Sequence, residues 1–269
     1  MALKDITLGQ YFPGTSAVHR LDPRTKLLAV LLYIVALFLA NWFVTYAIMF
    51  LVLAGSIAVS KVPVKSIFRG LKPVLFIVVF TALLNIFYTP GVTVLARFWV
   101  FTITLEGVYR AFFMVVRIMM LISGTFLLTY TTSPIVLTEG LESLLSPLKK
   151  MKAPVHELAM MMSIALRFIP TLIEETDKIM SAQRARGADF ESGNLIQRAK
   201  ALLPLLVPLF ISAFRRADEL ATAMECRCYH GGKGRTRLRQ LKYKAADYVT
   251  LLLFLAIAVG VGVLGHFGL

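Results

Sequence analysis

The sequence predicts an all-α membrane protein: a polytopic bundle of about five spans with a cytoplasmic domain of long amphipathic helices. Of its 269 residues, 58% are hydrophobic and only 16% are charged, whereas soluble domains carry about 25% charged residues. Five apolar runs approach the roughly 20 residues that a helix needs to cross a bilayer. Between the fourth and fifth runs, apolar residues instead recur at helical spacing among charged ones, which is typical of amphipathic helices.

The apolar runs divide the chain into three parts. The spans are expected at residues 26–40, 42–60, 71–88, 108–130 and 248–269. Residues 1–130 then hold the N-terminal transmembrane helices, 131–244 the cytoplasmic domain and 245–269 the C-terminal transmembrane helix. The apolar residues 89–105, between the third and fourth spans, are expected to form a short interfacial or re-entrant piece.

Basic residues indicate the orientation. The chain has 29 Lys and Arg against 15 Asp and Glu, a formal net charge of +14. In membrane proteins Lys and Arg collect on the cytoplasmic side, and here they cluster before the first span, in 61–72 and in 131–244. We therefore expect these segments in the cytoplasm and the C-terminus outside. The aromatic residues lie in apolar runs and not beside the basic clusters, so the charge does not indicate nucleic-acid binding.

The predicted spans lack the side chains of a carrier. No carboxylate lies inside an apolar run, although proton-coupled transporters normally place Asp or Glu there. Arg117 would cost about 2.5–3.5 kcal/mol at a helix centre, and it shares a helix face with Arg110. Because no counter-charge accompanies them, structural packing is favoured over an ion path.

Small residues recur four apart in the last span. Ala256 pairs with Gly260, and Ala258 with Gly262. This spacing allows another helix to approach closely. Packing within the chain and contact with another subunit are both open.

The cytoplasmic part is predicted as three helices. The first begins at Pro134, with Ser133 as N-cap. Two long runs follow, of about 30 residues each, and the prolines within them are expected to cause kinks. Within the first long run, residues 160–166 form a methionine-rich face. Such a face packs between helices in most proteins, and adaptable contact with varied partners is the alternative.

The ends of the two long runs are similar in sequence at an offset of 41 residues. Six positions match in order, and the last of them is an arginine flanked by small residues. The pairs are Asp177 with Asp218, Ile179 with Leu220, Ser181 with Thr222, Ala182 with Ala223, Ala185 with Cys226, and Arg186 with Arg227. This order suggests one structural role performed twice.

Two interpretations of these arginines are open from the residues alone. Small flanks, Ala185 with Gly187 and Cys226 with Cys228, leave each guanidinium accessible for docking onto a partner's carboxylate. Alternatively, each arginine stabilises a helix C-terminus by about 0.3–1 kcal/mol. Gly187 and the pair at 231–232 are expected to stop the helices. The duplication favours docking onto a two-fold or pseudo-two-fold partner.

Catalytic and metal sites are not expected. Cys226 and Cys228 have only His230 as a further nearby ligand, whereas zinc requires about four. Residues 230–236 contain Gly-Gly-Lys-Gly, which lacks the spacing of a phosphate-binding loop.

Three motifs resemble one transporter family. They are His-Arg-Leu-Asp-Pro-Arg-Thr-Lys before the first span, Ala-Gln-Arg-Ala-Arg-Gly at 182–187 and Ala-Met-Glu-Cys-Arg-Cys at 223–228. The chain resembles, over essentially its whole length, the transmembrane T component of energy-coupling factor importers for vitamins and metals. Asp22, Pro23 and Arg24 belong to the family's N-terminal motif and are expected to be structural.

The resemblance implies partners and a role. It places the docking motifs on residues 185–187 and 226–228, each holding one of two ABC-type ATPase subunits. A separate membrane-embedded S component captures the vitamin, and the partners bind ATP, so this chain has no cofactor and is no enzyme. The expected location is the bacterial inner membrane. The competing hypotheses are a self-contained carrier and a membrane enzyme that modifies lipids.

Overall fold

The computed structural model describes residues 11–89, 91, 93–98, 101–151, 153–190, 194–231 and 240–267. Most of these residues are helical. The helices are α1 (Ala17–Arg20), α2 (Pro23–Leu39), α3 (Phe43–Ser60), α4 (Val64–Tyr88), α5 (Leu105–Thr131), α6 (Pro134–Leu144), α7 (Val155–Ala185), α8 (Leu195–Cys226) and α9 (Ala245–Phe267), with a 3₁₀ turn at Ser146–Met151. The predicted all-α fold is confirmed.

A β-hairpin separates α4 from α5. Strands β1 (Val94–Phe98) and β2 (Phe101–Thr104) pair antiparallel. This segment was expected to be an interfacial or re-entrant piece, and a hairpin was not predicted. Its apolar run is short, and in such runs periodicity does not distinguish a strand from a helix.

The chain forms two compact units. Among the described residues, one unit comprises 142–240 and the other comprises 11–141 together with 241–267. The first unit thus begins at Glu142, within α6, whereas the predicted cytoplasmic domain began at residue 131.

In the part of the chain that the structure describes, five helices are long and apolar enough to cross a membrane: α3, α4, α5, α7 and the Ala245–Gly265 part of α9. Four of them coincide with predicted spans. The remaining predicted span corresponds to α2, whose 17 residues extend about 26 Å at 1.5 Å per residue. Helix α7 lies in the segment predicted to be cytoplasmic, and it meets the criterion by length and composition alone.

The second unit, which holds residues 11–141 and 241–267, is built around α2. Its buried side chains, among them Tyr33 and Leu37, form an apolar core with residues of α3, α5 and α9. Of the small residues in α9, Ala258 is buried, and a side chain at Gly262 would meet Leu39. This pair therefore packs within the chain. A Cβ at Gly260 would meet nothing within 4 Å, so the other small-residue pair faces open space.

Candidate docking site

Helices α7 and α8 end at matching residues. The last helical residue of α7 is Ala185, with Arg186 as C-cap. The last helical residue of α8 is Cys226, with Arg227 as C-cap. The offset of 41 found in the sequence therefore places both arginines at the same position of their helices.

The first tip, residues 183–188, is closed by a Schellman motif. The amide of Ala188 donates to the Gln183 carbonyl at 3.0 Å, and the amide of Gly187 donates to the Arg184 carbonyl at 3.0 Å. These are the 6→1 and 5→2 bonds that define the motif. Gly187 has a φ of +87°, in the left-handed region that glycine adopts without steric cost.

The second tip, residues 224–229, repeats this geometry. The amide of Tyr229 donates to the Met224 carbonyl at 3.0 Å, and the amide of Cys228 donates to the Glu225 carbonyl at 2.8 Å. The left-handed residue is Cys228, with a φ of +55°. The predicted stop at 231–232 is wrong, since α8 ends before it and Gly231 lies three residues beyond Cys228. The sequence pattern missed this because cysteine seldom adopts left-handed φ.

Both arginine side chains are exposed at these tips. Within the described part of the chain, neither Arg186 nor Arg227 forms a side-chain hydrogen bond or ion pair. The flanking Ala185 and Gly187, like Cys226 and Cys228, are exposed too. The geometry therefore presents two similar cationic groups whose donors are accessible to a partner.

Helices α7 and α8 contact each other within the first unit. Arg216 of α8 donates to Glu175 of α7 at 2.7 Å. With 32 residues, α8 extends about 48 Å at 1.5 Å per residue.

Apolar faces of these helices are exposed. Leu203, Val207, Phe210 and Phe214 of α8 recur at helical spacing, and Phe214 is 69% exposed. In α7, Met161 of the predicted methionine face is 55% exposed. Core packing, the more common role for such a face, therefore does not account for Met161 in this chain.

The N-terminal motif lies at the start of α2. Asp22 is the N-cap and accepts from the Arg24 amide at 2.9 Å, while the Arg24 guanidinium makes two hydrogen bonds of 3.0 Å to its carboxylate. Burial alone would raise the pKa of the Asp22 carboxyl, but these bonds and the charge of Arg24 outweigh it and lower the pKa. Pro23 occupies the first helical turn, where its missing N–H leaves no hydrogen bond unmade.

Two further residues complete this cluster, and no pattern in the sequence predicted a structural role for either. Asp247, at the start of α9, is almost fully buried and accepts from the amides of Asp22 and Lys244 at 2.9 and 2.7 Å. Lys26, also buried, donates to the Thr131 carbonyl at 2.9 Å. The motif thus joins α2 to α9 and to the end of α5. Residues far apart in sequence carry no local signal of such pairing.

Arg117 lies against the C-terminal end of α2. Its guanidinium donates to the Ala40 carbonyl at 2.8 Å and lies 5.8 Å from the Phe38 ring and 5.7 Å from the Tyr46 ring. A cation at a helix C-terminus is favourable. Arg110, two turns earlier, is exposed. The arrangement agrees with a structural role for Arg117.

Metal ligands are scattered in the described part of the chain, where no group of three or more His, Cys, Asp or Glu could hold an ion. Cys226 and Cys228 are free thiols. Residues 232–236, part of the rejected phosphate-loop pattern, lie outside the described residues.

Known proteins resemble this chain over nearly its whole length. It matches the CbiQ family, described as cobalt transport protein, over residues 14–238. It is 58% identical to an energy-coupling factor transporter transmembrane protein EcfT of Clostridium kluyveri, over 93% of each chain. For the proteins of the same name from Ruminiclostridium cellulolyticum and Bacillus subtilis, the identities are 55% over 91% of each chain and 50% over 95% of this chain and 97% of the relative. The chain belongs to the CbiQ/EcfT family.

Membership of the CbiQ/EcfT family confirms the predicted T component and the membrane location. It makes the chain a transport subunit and not an enzyme. The hypothesis of a lipid-modifying membrane enzyme is therefore rejected.

Proposed function

We propose that this chain couples two ABC-type ATPase subunits to a membrane-embedded S component, so that closure of the ATPases drives vitamin or metal uptake. The observation that carries this proposal is the pair of exposed arginines, Arg186 and Arg227, at two identically capped helix ends. Two similar tips suit two similar partners. Each guanidinium fork can bind a carboxylate with two parallel hydrogen bonds.

The coupling helices α7 and α8 would carry motion from the tips. Each is about 45 Å long or more, and the Glu175–Arg216 pair joins them. The exposed apolar face of α8, with Phe210 and Phe214, offers a surface for the S component. Apolar faces of this extent are uncommon on surfaces without a partner.

The proposed orientation places the coupling helices in the cytoplasm. Helix α7 is apolar enough to span, but it carries seven charged side chains, at 157, 167, 174, 175, 177, 178 and 184, and charged groups in a bilayer are costly. Helix α2 confines its two charged residues, Arg24 and Lys26, to its first turn. We therefore assign α2, α3, α4, α5 and α9 to the bacterial inner membrane, with residues 131–244 in the cytoplasm.

The partners would supply the ATP site and the vitamin site, which are not expected in this chain. The ATPases bind ATP and the S component binds the vitamin, so the chain acts without a cofactor. The alternative of a self-contained carrier is disfavoured because no acidic residue lies within the central parts of the proposed spans that the structure describes.

Substitution of the two arginines tests the proposal. The chain is co-expressed with the ATPase and S subunits of its transporter, and the complex is purified through a tag on this chain. Arg186→Ala with Arg227→Ala should lose the ATPases and uptake while the S component and the fold remain. Lys at both positions should restore binding only in part, because an ammonium cannot form the bidentate contact.

Arg215→Ala is the matched control, because Arg215 is an exposed arginine of α8 away from both tips. It should leave ATPase binding unchanged. Undiminished ATPase binding by the double alanine variant would refute the proposal.

A further inference from the structure

A groove lies beside the second tip. Its volume is about 670 Å³, and its walls come from the first half of α7 and the C-terminal end of α8. Residues Met160, Ile164 and Met224 form apolar parts of the lining. The size is within the usual range of about 300–1,000 Å³ for binding pockets, so a side chain of a partner fits it.

Among the described residues that line this groove, two are charged, and both are arginines from different helices: Arg167 of α7 and Arg227 of α8. Both are exposed. In the part of the chain that the structure describes, neither side chain has a hydrogen-bond or ion-pair partner. None of the described lining residues is Asp or Glu. Two like charges in one groove repel each other, and an anion bound between them would remove this repulsion.

The polar neighbours do not supply that anion. The His230 ring donates from Nδ1 to the Cys228 carbonyl at 2.9 Å, and a carbonyl carries no net charge. Ser163 can offer only a hydroxyl. The missing negative group must therefore come from outside the described chain.

We infer that the groove receives an acidic side chain of the ATPase subunit that docks on the second tip, with its carboxylate bound between Arg167 and Arg227. This inference rests on the proposed function and adds Arg167 to the docking surface. Guanidinium groups bind carboxylates through charge-assisted hydrogen bonds. Because the two arginines belong to different helices, one carboxylate would hold α7 and α8 to the same ATPase, and motion of that subunit would reach both helices directly.

A double-mutant cycle tests this inference. ATPase affinity is measured with the complete chain in detergent for Arg167→Ala, Arg227→Ala and both together. Each single change should weaken binding roughly tenfold or more, as removal of one partner of a desolvated charge pair does. The double variant should bind the ATPase only slightly more weakly than the single variant with the lower affinity, because both arginines share one carboxylate.

A second cycle is the internal comparison. Arg167→Ala combined with Arg186→Ala should give additive losses, because Arg186 belongs to the other tip. Arg167→Gln, which keeps a polar side chain of similar shape, guards against misfolding and should lose affinity as Arg167→Ala does. Arg215→Ala should have no effect.

The outcomes separate this inference from the proposed function. If Arg227→Ala loses the ATPase and Arg167→Ala does not, the carboxylate site in the groove is refuted, and the proposed docking through the two tips is not. If no tip variant alters binding, both fail. A titration with inorganic phosphate adds a further arm: phosphate binding that needs Arg167, with unchanged ATPase affinity, would identify a free-anion site and overturn the inference.

Discussion

Gly187 and Cys228 hold the same position in two capping motifs that are hydrogen-bonded alike. Both residues have positive φ, +87° and +55°, and both follow an exposed C-cap arginine. The second tip therefore keeps the geometry of the first with a residue that is less suited to it. A left-handed φ costs an L-residue with a side chain roughly 1–2 kcal/mol. The two capping motifs therefore place Arg186 and Arg227 on similar backbone geometry.

The capping geometry predicts opposite effects of one substitution at two glycines. Gly187→Ala should destabilise the first tip by roughly 1 kcal/mol, because alanine must adopt a left-handed φ. Gly260→Ala, in α9, should stabilise its helix by roughly 0.5–1 kcal/mol. At both glycines a Cβ would meet nothing within 4 Å, so sterics do not distinguish them.

Hydrogen exchange of the amides at 183–188 measures the first effect, and thermal unfolding of the complete chain in detergent measures the second. Faster exchange in Gly187→Ala is expected, together with weaker ATPase binding. Unchanged exchange there would mean that the left-handed geometry is not needed. Cys228→Gly should slow exchange at 224–229.

The buried cluster at the start of α2 predicts that exchanging one carboxylate for an amide has a large effect on stability. Asp247→Asn should lower the free energy of unfolding by about 1–3 kcal/mol, since the amide leaves one of two backbone N–H groups without an acceptor. The measurement is thermal unfolding in detergent. Glu219→Gln, at an exposed position of α8, is the control and should unfold as the parent chain does. Equal unfolding of both variants would show that the cluster adds no stability.

Substitutions of Arg117 distinguish a structural role of this residue from a role in an ion path. Arg117→Gln keeps a donor for the Ala40 carbonyl and should retain stability and uptake, whereas Arg117→Met leaves that carbonyl unpaired and should lower the unfolding temperature. Arg110→Met, at an exposed position, should have little effect. A charge-dependent ion path would instead lose uptake in both Arg117 variants, which uptake assays in cells would reveal.

The sequence predicts local features of this chain well. Helices α3, α4, α5 and α9 follow from apolar runs, because length and hydropathy determine them. The start of α6 at Pro134 follows from its capping residues. The matched ends of α7 and α8 follow from the offset of 41 residues, which is visible in the sequence alone.

Features that depend on distant residues were not predictable. Asp22 and Asp247 are 225 residues apart, and no local pattern links them. Arg167 gave no signal, because its importance lies in sharing a groove with Arg227. The hairpin at β1 and β2 was missed because its strands have only five and four residues, and in such short runs periodicity does not distinguish a strand from a helix.

The ion pair between α7 and α8 predicts a separation of ATP hydrolysis from uptake, given the proposed function. Glu175 and Arg216 are partly exposed, so removing the pair should cost at most about 1 kcal/mol of stability. If the pair keeps the two helices moving together, Arg216→Ala should retain ATPase docking and hydrolysis while uptake per ATP falls. The charge-swapped chain, Glu175→Arg with Arg216→Glu, should recover part of that uptake, and the exposed neighbour Arg215→Ala should lose none. Hydrolysis and uptake that fall in parallel would show instead that the pair supports docking or folding.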